Sequence, residues 1–93
     1  MTSDDDARRK KLKLRAWRRG FREADLILGP FADRYVQTFD DAELDWFERL
    51  LDAPDQDIYG WILEREPTPA PHDGPLMDRL KAFRDEPKAP RGG

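Results

Sequence analysis

The sequence predicts an all-α protein, a single compact bundle of about five helices. Three observations carry this prediction: apolar residues recur at helical spacing, no stretch alternates apolar and polar residues as a strand would, and glycine or proline separates the helical stretches. A chain of 93 residues is long enough for one small domain and not for two. Its aromatic content of 11% favours a packed core over disorder.

The first two predicted helices cover residues 5–18 and 21–38, on either side of Gly20. Residues spaced by three and four predict one buried stripe through both helices: Leu14, Trp17, Phe21, Ala24, Leu28, Phe31 and Tyr35. The stripe keeps its register across Gly20, which is compatible with a continuous helix or a kink, and we expect a break near Arg19 and Gly20. Pro30 lacks a backbone N–H, so it either bends the second helix or begins a new segment.

Two further helices follow in the middle of the chain. Asp40 with Glu43 three residues later is a capping-box signature, and it predicts a helix over residues 41–51. Pro54 suits the start of a fourth helix over residues 55–65. The predicted inward residues of these helices are Leu44, Phe47, Leu50, Leu51, Ile58, Trp61 and Ile62.

The last third of the chain is dominated by proline. Residues 66–75 contain four prolines and one glycine, which predicts an extended loop. A short fifth helix follows over residues 76–84, with Leu76, Leu80 and Phe83 inward. The predicted domain therefore spans residues 1–84, flexible over 1–4, and residues 85–93 are predicted to be a disordered tail.

Charge is distributed unevenly along the chain, although the net charge is only −3. Residues 7–23 hold nine Lys and Arg against one acid, whereas residues 24–93 hold sixteen acids against eight Lys and Arg. The basic first helix could contact phosphates, so a nucleic-acid-binding or antitoxin-like regulatory module using that helix is an alternative hypothesis. Trp17 could stack on a base, but its place in the apolar stripe favours the core. We therefore favour a protein partner.

The residue inventory excludes most catalytic chemistry. There is no cysteine, so neither a disulfide framework nor a thiolate metal site is possible. Ser3 is the only serine, and His72 is the only histidine and lies in the proline-rich loop, where we expect it to be solvated. A zinc site would need further His or Cys ligands. We predict a protein that is not an enzyme, with no catalytic residues and no metal.

The N-terminal stretch and the hydropathy pattern bear on location. No apolar run approaches the roughly 18 to 20 residues of a membrane-spanning helix. The N-terminal residues MTSDDDARRK lack an apolar signal core, and their acidic triplet is unlike a mitochondrial presequence. We expect a bacterial cytoplasmic protein without direct membrane insertion.

Gly20 raises a question that helix physics leaves open. Within a helix, glycine costs about 1 kcal/mol relative to alanine. In one interpretation Gly20 is a flat notch that another backbone approaches, flanked by Arg19 and Glu23. In the other it is a kink or cap between two helices, and Arg19 and Glu23 are a surface pair that contributes only about 0.2 to 0.5 kcal/mol. The residues alone favour neither interpretation.

The segment RGFRE at residues 19–23 fits the RGxxE motif of the small succinate dehydrogenase assembly factors, which promote covalent FAD attachment to the flavoprotein subunit. The similarity continues through Asp25, GPF at 29–31, Tyr35 and ERLLDAPDQDIYGWIL at 48–63. It covers roughly residues 8–84, so most of the chain resembles this family.

The resemblance implies a five-helix bundle that binds the flavoprotein subunit of succinate dehydrogenase, with fumarate reductase as a second candidate. It implies Arg19, Gly20 and Glu23 as partner-binding residues, with Arg22 and Asp25 as neighbouring candidates. It further implies a monomer that acts on the FAD of its partner and binds no cofactor stably. A histidine of the partner and the flavin would supply the chemistry, and the assembly factor would supply positioning. On this resemblance we expect no nucleic-acid partner.

Overall fold

Five α-helices and two short 3₁₀ turns follow one another in the computed structural model, which describes residues 3–18 and 20–86. The helices are α1 (Ser3–Trp17), α2 (Arg22–Tyr35), α3 (Asp41–Asp52), α4 (Asp55–Ile62) and α5 (Pro75–Asp85), and the 3₁₀ turns are Val36–Thr38 and Ala70–His72. No strand occurs within residues 3–18 and 20–86. The predicted all-α bundle of about five helices is confirmed.

Several boundaries differ from the predicted ones. Helix α4 ends at Ile62, three residues before its predicted end, whereas α5 extends to Asp85. Arg19, residues 1–2 and residues 87–93, and with them most of the predicted disordered tail, lie outside the described residues. In the described part of the chain, no helix is both long and apolar enough to cross a membrane.

Helices α1 and α2 form an antiparallel hairpin. In the middle of α1, the Arg9 guanidinium donates hydrogen bonds to the carbonyls of Val36 at 3.2 Å and Phe39 at 2.7 Å, beyond the end of α2. At the end of α1, the Trp17 indole Nε1 donates to a carboxylate oxygen of Asp33 at 3.1 Å. The two helices therefore run past each other in opposite directions, with their connection at residues 18–21.

The close contact within this hairpin is made by an aromatic ring on a glycine. A Cβ atom built on Gly29 would lie only 2.3 Å from Cδ2 of the Trp17 indole. Real Cβ atoms do not approach other atoms so closely, so only glycine lets the indole lie directly on the backbone of α2. Trp17 remains partly exposed, although it packs against α2.

Pro30 follows Gly29 and does not end the helix, since α2 continues through it to Tyr35. No new segment begins after Leu28. Proline has no N–H to donate to the carbonyl of Leu26, four residues earlier. The Leu26 side chain is 48% exposed, so this turn lies at the surface, where water is available to replace the lost hydrogen bond.

The core is made from all five helices, and most predicted inward residues are buried. The prediction for α1 is wrong, because Leu14 is 52% exposed and Leu12 and Ala16 are buried in its place. The break at Gly20 is the physical reason. It uncouples the helical phase of α1 from that of α2, so a stripe drawn through both helices misplaces the inward face of α1.

The C-terminal end of α4 is capped by a side chain from α5. Arg84 donates a hydrogen bond to the carbonyl of Ile62 and forms an ion pair with Glu64 at 2.8 Å. Glu64 has a positive φ of 59°, the conformation in which helices commonly end. Hydrogen bonds to Asp85, and then to Glu64, raise the pKa of Arg84 above its ordinary value, so the cap remains charged.

The proline-rich loop packs against two tryptophans. The indole Nε1 of Trp46 donates to the carbonyl of His72 at 2.9 Å, and the His72 ring stacks on Trp61 with centroids 5.0 Å apart. The expectation of a solvated His72 is therefore wrong. Trp46 was missed as a buried residue of α3, whereas the predicted capping box of Asp40 and Glu43 at the start of that helix is confirmed.

Replacing Gly29 with alanine should destabilise the fold, because the new methyl group would displace the Trp17 indole. We expect Gly29→Ala to lower the free energy of unfolding by about 1 to 3 kcal/mol, as overpacking does. The matched control is Gly60→Ala in α4, where a Cβ would meet only the Glu66 side chain, at 3.7 Å. That variant should be at least as stable as the wild type. Urea unfolding measures both, and equal midpoints for the two variants would contradict the packing argument.

Candidate functional site

The connection between α1 and α2 is a sharp corner centred on Gly20. Gly20 has a φ of +89°, a backbone conformation that residues other than glycine rarely adopt. A Cβ built on it would meet nothing within 4 Å, so the requirement for glycine comes from the backbone and not from crowding. The predicted break near Gly20 is confirmed. Gly20 lies at the junction between α1 and α2. The interpretation of Gly20 as a notch in one continuous helix is therefore wrong.

The other candidate residues lie next to this corner, in the first turn of α2. Arg22 and Glu23 are the first two residues of α2 and are exposed. A carboxylate in the first turn interacts favourably with the positive end of the helix dipole, so Glu23 stabilises the start of α2. The structure thus brings Gly20, Arg22 and Glu23 together at the surface. Arg19, the first residue of the motif, lies outside the described residues.

Asp25 differs from these neighbours because it is partly buried. One of its carboxylate oxygens, Oδ1, is inaccessible to solvent and has no hydrogen-bond partner within residues 3–18 and 20–86. A buried acceptor without a donor is costly. Asp25 is therefore a residue near the corner with one carboxylate oxygen, Oδ1, that the described part of the chain leaves without a donor.

Glu23 also lines a groove of about 530 Å³ between the start of α2 and the end of α4. The groove is lined by Phe21, Glu23, Gln56, Tyr59, Gly60, Arg65 and Glu66. Its wall contains the rings of Phe21 and Tyr59, whose centroids are 5.1 Å apart. The Arg65 guanidinium lies over the Tyr59 ring, with its central carbon 5.9 Å from the centroid. The groove thus combines an aromatic wall with two carboxylates.

Gly60 leaves this groove open. Its missing side chain would point toward the groove, where its nearest neighbours are atoms of the Glu66 side chain. Residue-by-residue reasoning missed the groove, because its lining comes from two segments more than thirty residues apart. The signal that could have pointed to it is Gly60, a glycine inside a helical pattern, which faces open space and the Glu66 side chain.

Much of the basic first helix is used within the fold. Arg8 forms ion pairs with Asp45 at 2.6 Å and Glu48 at 2.9 Å, and Arg15 pairs with Asp52 at 2.8 Å. Hydrogen bonds to Asp45, and then to Glu48, raise the pKa of Arg8 above its ordinary value. These cations fix α1 against α3. A phosphate would have to compete with these carboxylates for Arg8 and Arg15, which weakens the nucleic-acid alternative.

The chemistry of the corner is that of recognition. It offers an exposed backbone, charged side chains and an aromatic groove. Within the described ranges, no group of three or more His, Asp or Glu residues is arranged to hold a metal ion. The fold and the site therefore define a small helical protein that presents charged and aromatic groups at an exposed helix corner.

Comparison with known proteins identifies the family. Residues 10–84 match the family model Sdh5, described as "Flavinator of succinate dehydrogenase", and the chain belongs to this family. The chain is 38% identical over 80 residues to "Succinate dehydrogenase assembly factor 2, mitochondrial" of Danio rerio, covering 84% of this chain and 51% of that protein. It is 43% identical over 82 residues to the protein of the same name from Debaryomyces hansenii, covering 87% of this chain and 58% of that protein.

A bacterial relative also matches. The "FAD assembly factor SdhE" of Acetobacter pasteurianus is 35% identical over 74 residues, which cover 80% of this chain and 68% of that protein. The chain spans about half the length of the Danio rerio protein and about two thirds of the bacterial one. The family resemblance drawn from the RGxxE motif is thereby confirmed.

The names of the relatives also decide two further predictions. They describe assembly factors and not enzymes, in agreement with the prediction of a non-catalytic protein. The predicted bacterial cytoplasmic location is wrong, because relatives that match most of this chain are named as mitochondrial proteins of eukaryotes. An acidic triplet near the N-terminus was therefore a poor guide to location.

Proposed function

We propose that this chain binds the flavoprotein subunit of succinate dehydrogenase and promotes covalent attachment of FAD to it, without catalysing the reaction itself. The observation that carries the proposal is the RGxxE segment at an exposed corner whose backbone conformation requires Gly20. Its support is family membership over residues 10–84 and the names of the relatives. The flavoprotein of fumarate reductase is a second partner to test.

In this proposal the chain supplies positioning and the partner supplies the chemistry. A histidine of the flavoprotein subunit and the flavin ring form the covalent bond, and FAD remains bound to the partner throughout. Holding two reacting groups in a productive arrangement accelerates their reaction without any catalytic side chain. This division agrees with a chain whose described surface carries charged and aromatic recognition groups. We propose that the chain acts as a monomer.

Each residue of the corner has a role in the proposed interface. Gly20 presents a backbone without a side chain, so the partner's backbone is able to approach closely. Arg22 and Glu23 offer charged hydrogen bonds, which are stronger than neutral ones and give specificity. Asp25 offers an acceptor, Oδ1, to a donor from the partner. Arg19 enters the proposal through the motif alone.

The proposal is tested by expressing the flavoprotein subunit with and without this chain. We expect covalent flavin on the subunit, measured by in-gel fluorescence after denaturing electrophoresis, to rise severalfold when the chain is present. Purified subunit, free FAD and purified chain should reproduce the difference in vitro. If flavin attachment is the same in both cases and the two proteins do not co-purify, the proposed function is wrong.

The role of Gly20 in docking is separated from its role in the fold by comparing Gly20→Ala with Gly20→Arg. Both side chains enforce the same strain at positive φ, about 1 to 2 kcal/mol. Both point into open space, so their unfolding midpoints should agree. A domain with ordinary stability remains folded after such a loss. We expect Gly20→Arg to reduce flavin attachment at least tenfold more than Gly20→Ala, because only the arginine obstructs the partner.

Equal flavin attachment with the two Gly20 variants would restrict Gly20 to its role in the fold. Gly20→Asn is the control for backbone strain, because asparagine tolerates positive φ better than alanine does. This variant should unfold at a higher urea concentration than Gly20→Ala.

The groove beside Glu23 is tested by filling it from Gly60. We expect Gly60→Leu to retain the fold, since leucine favours helices and the position faces the groove. If a segment of the flavoprotein subunit enters the groove, this variant should reduce binding of the subunit at least tenfold. Gly60→Ala, which adds one methyl group, should reduce it much less. Unchanged binding by Gly60→Leu, measured by biolayer interferometry, would show that the partner does not use the groove.

A further inference from the structure

The outer face of the α1–α2 hairpin carries two exposed leucines. Leu14 is 52% exposed and Leu26 is 48% exposed, and they are the only exposed large hydrophobic residues in the described part of the chain. Both lie on the two helices that meet at the Gly20 corner. Exposed single hydrophobic residues are common, so the arrangement of these two with their neighbours decides what they mean.

We group the two leucines with Trp17 as one apolar strip, because each leucine lies one turn from the contact between the indole and α2. At 100° per residue, Leu14 points away from the buried Leu12 and Ala16, and Trp17 lies one turn further along α1. The Trp17 indole packs on Gly29, which lies one turn after Leu26 on α2. Trp17 itself is partly exposed.

Four exposed cations lie within one helical turn of these leucines along the chain. Lys10 and Lys11 precede Leu14 on α1, Arg18 follows the end of α1, and Arg22 is one turn before Leu26 on α2. Lys11 also lines a cavity that Arg15 and Glu48 share. Among the described residues, none of the four forms an ion pair, in contrast to Arg8 and Arg15.

We propose that this outer face, defined by Leu14, Trp17 and Leu26 with their rim of four cations, is the apolar part of the docking surface. The occupant is the flavoprotein subunit, through an apolar patch bordered by acidic residues, so the inference rests on the proposed function. Apolar anchors at the centre of an interface supply most of its affinity, whereas rim charges steer the encounter. The charged corner at Gly20 and Glu23 has no large apolar anchor of its own on this side.

The position of the face supports the same partner as the corner. Arg22 belongs both to the candidate motif residues and to the cationic rim, and Leu26 lies one turn after it on α2. A partner seated on the corner therefore reaches Leu26 without a gap. The basic rim on a chain with a net charge of −3 selects an acidic patch locally.

An anionic membrane surface is the competing occupant, since basic residues around leucines also suit lipid headgroups. One feature disfavours it. An interfacial helix needs a broader apolar face than one exposed leucine on each helix.

The test replaces both leucines with glutamine and measures binding to the purified flavoprotein subunit by biolayer interferometry. Because both side chains are exposed, the Leu14→Gln, Leu26→Gln variant should unfold close to the wild-type midpoint. We expect the Kd to rise at least tenfold, mainly through faster dissociation, and covalent flavin to fall in parallel. The matched control is Ala82→Gln on the exposed side of α5, which should bind as the wild type does.

A second variant keeps the inference testable if the first one does not fold. The Lys10→Gln, Lys11→Gln variant should lower the association rate severalfold at low salt, and the difference should shrink at high salt. Binding with wild-type kinetics by both folded variants would overturn the inference, while flavin attachment promoted by the wild type would leave the proposed function intact. If the wild type neither binds nor promotes attachment, both the proposed function and the inference are wrong.

Sedimentation with vesicles containing anionic phospholipid separates the competing occupant. We expect the wild type to remain in the supernatant. If the wild type sediments, the leucine variant does not, and both bind the flavoprotein subunit equally, the face is a membrane surface and the inference is overturned.

Discussion

The packing of the Trp17 indole on the bare backbone of Gly29 is the contact on which the geometry of the proposed docking surface depends. It fixes the distance between α1 and α2, and the short connection must then reverse the chain within four residues. That reversal requires the positive φ of Gly20. With this contact made, the indole remains partly exposed, and Leu14 and Leu26 each lie one turn from it along their helices. The corner and the outer face of the hairpin therefore share one structural cause.

The unusual charge of the first helix divides into two groups with different roles. Arg8 and Arg15 are paired with carboxylates of α3, so they hold the helix in place. A surface ion pair contributes little to the free energy of folding by itself. Here the pairs lie along one side of α1 and together fix the rotation of this helix about its axis. That rotation turns Lys10 and Lys11 outward. A basic segment in the sequence thus serves both the fold and the charged rim of the exposed face.

Features that depend on residues close together in the sequence could be predicted, and features that depend on long-range packing could not. The capping box of Asp40 and Glu43 depends on residues three apart, and it was predicted correctly. The inward face of α1 depends on where the chain turns, and a stripe that stays in register across Gly20 concealed the turn and misplaced Leu14. The RGxxE motif can be recognised from the sequence alone. The groove beside Glu23 cannot, because Tyr59 and Gly60 reach it only through the packing of α4 on α2.

A docking protein without catalytic groups promotes a reaction only if it binds the reactive arrangement of its partner more tightly than the other arrangements. Under the proposed function, this requirement favours a rigid surface over an adaptable one, since a surface that follows every arrangement selects none. Glycine adopts positive φ without strain, so Gly20 alone does not make the corner rigid. The corner keeps its shape because the Trp17 indole on Gly29 holds α1 and α2 together. Under the proposed function, the packing of this hairpin therefore acts on partner selection through the backbone, even where no side chain touches the partner.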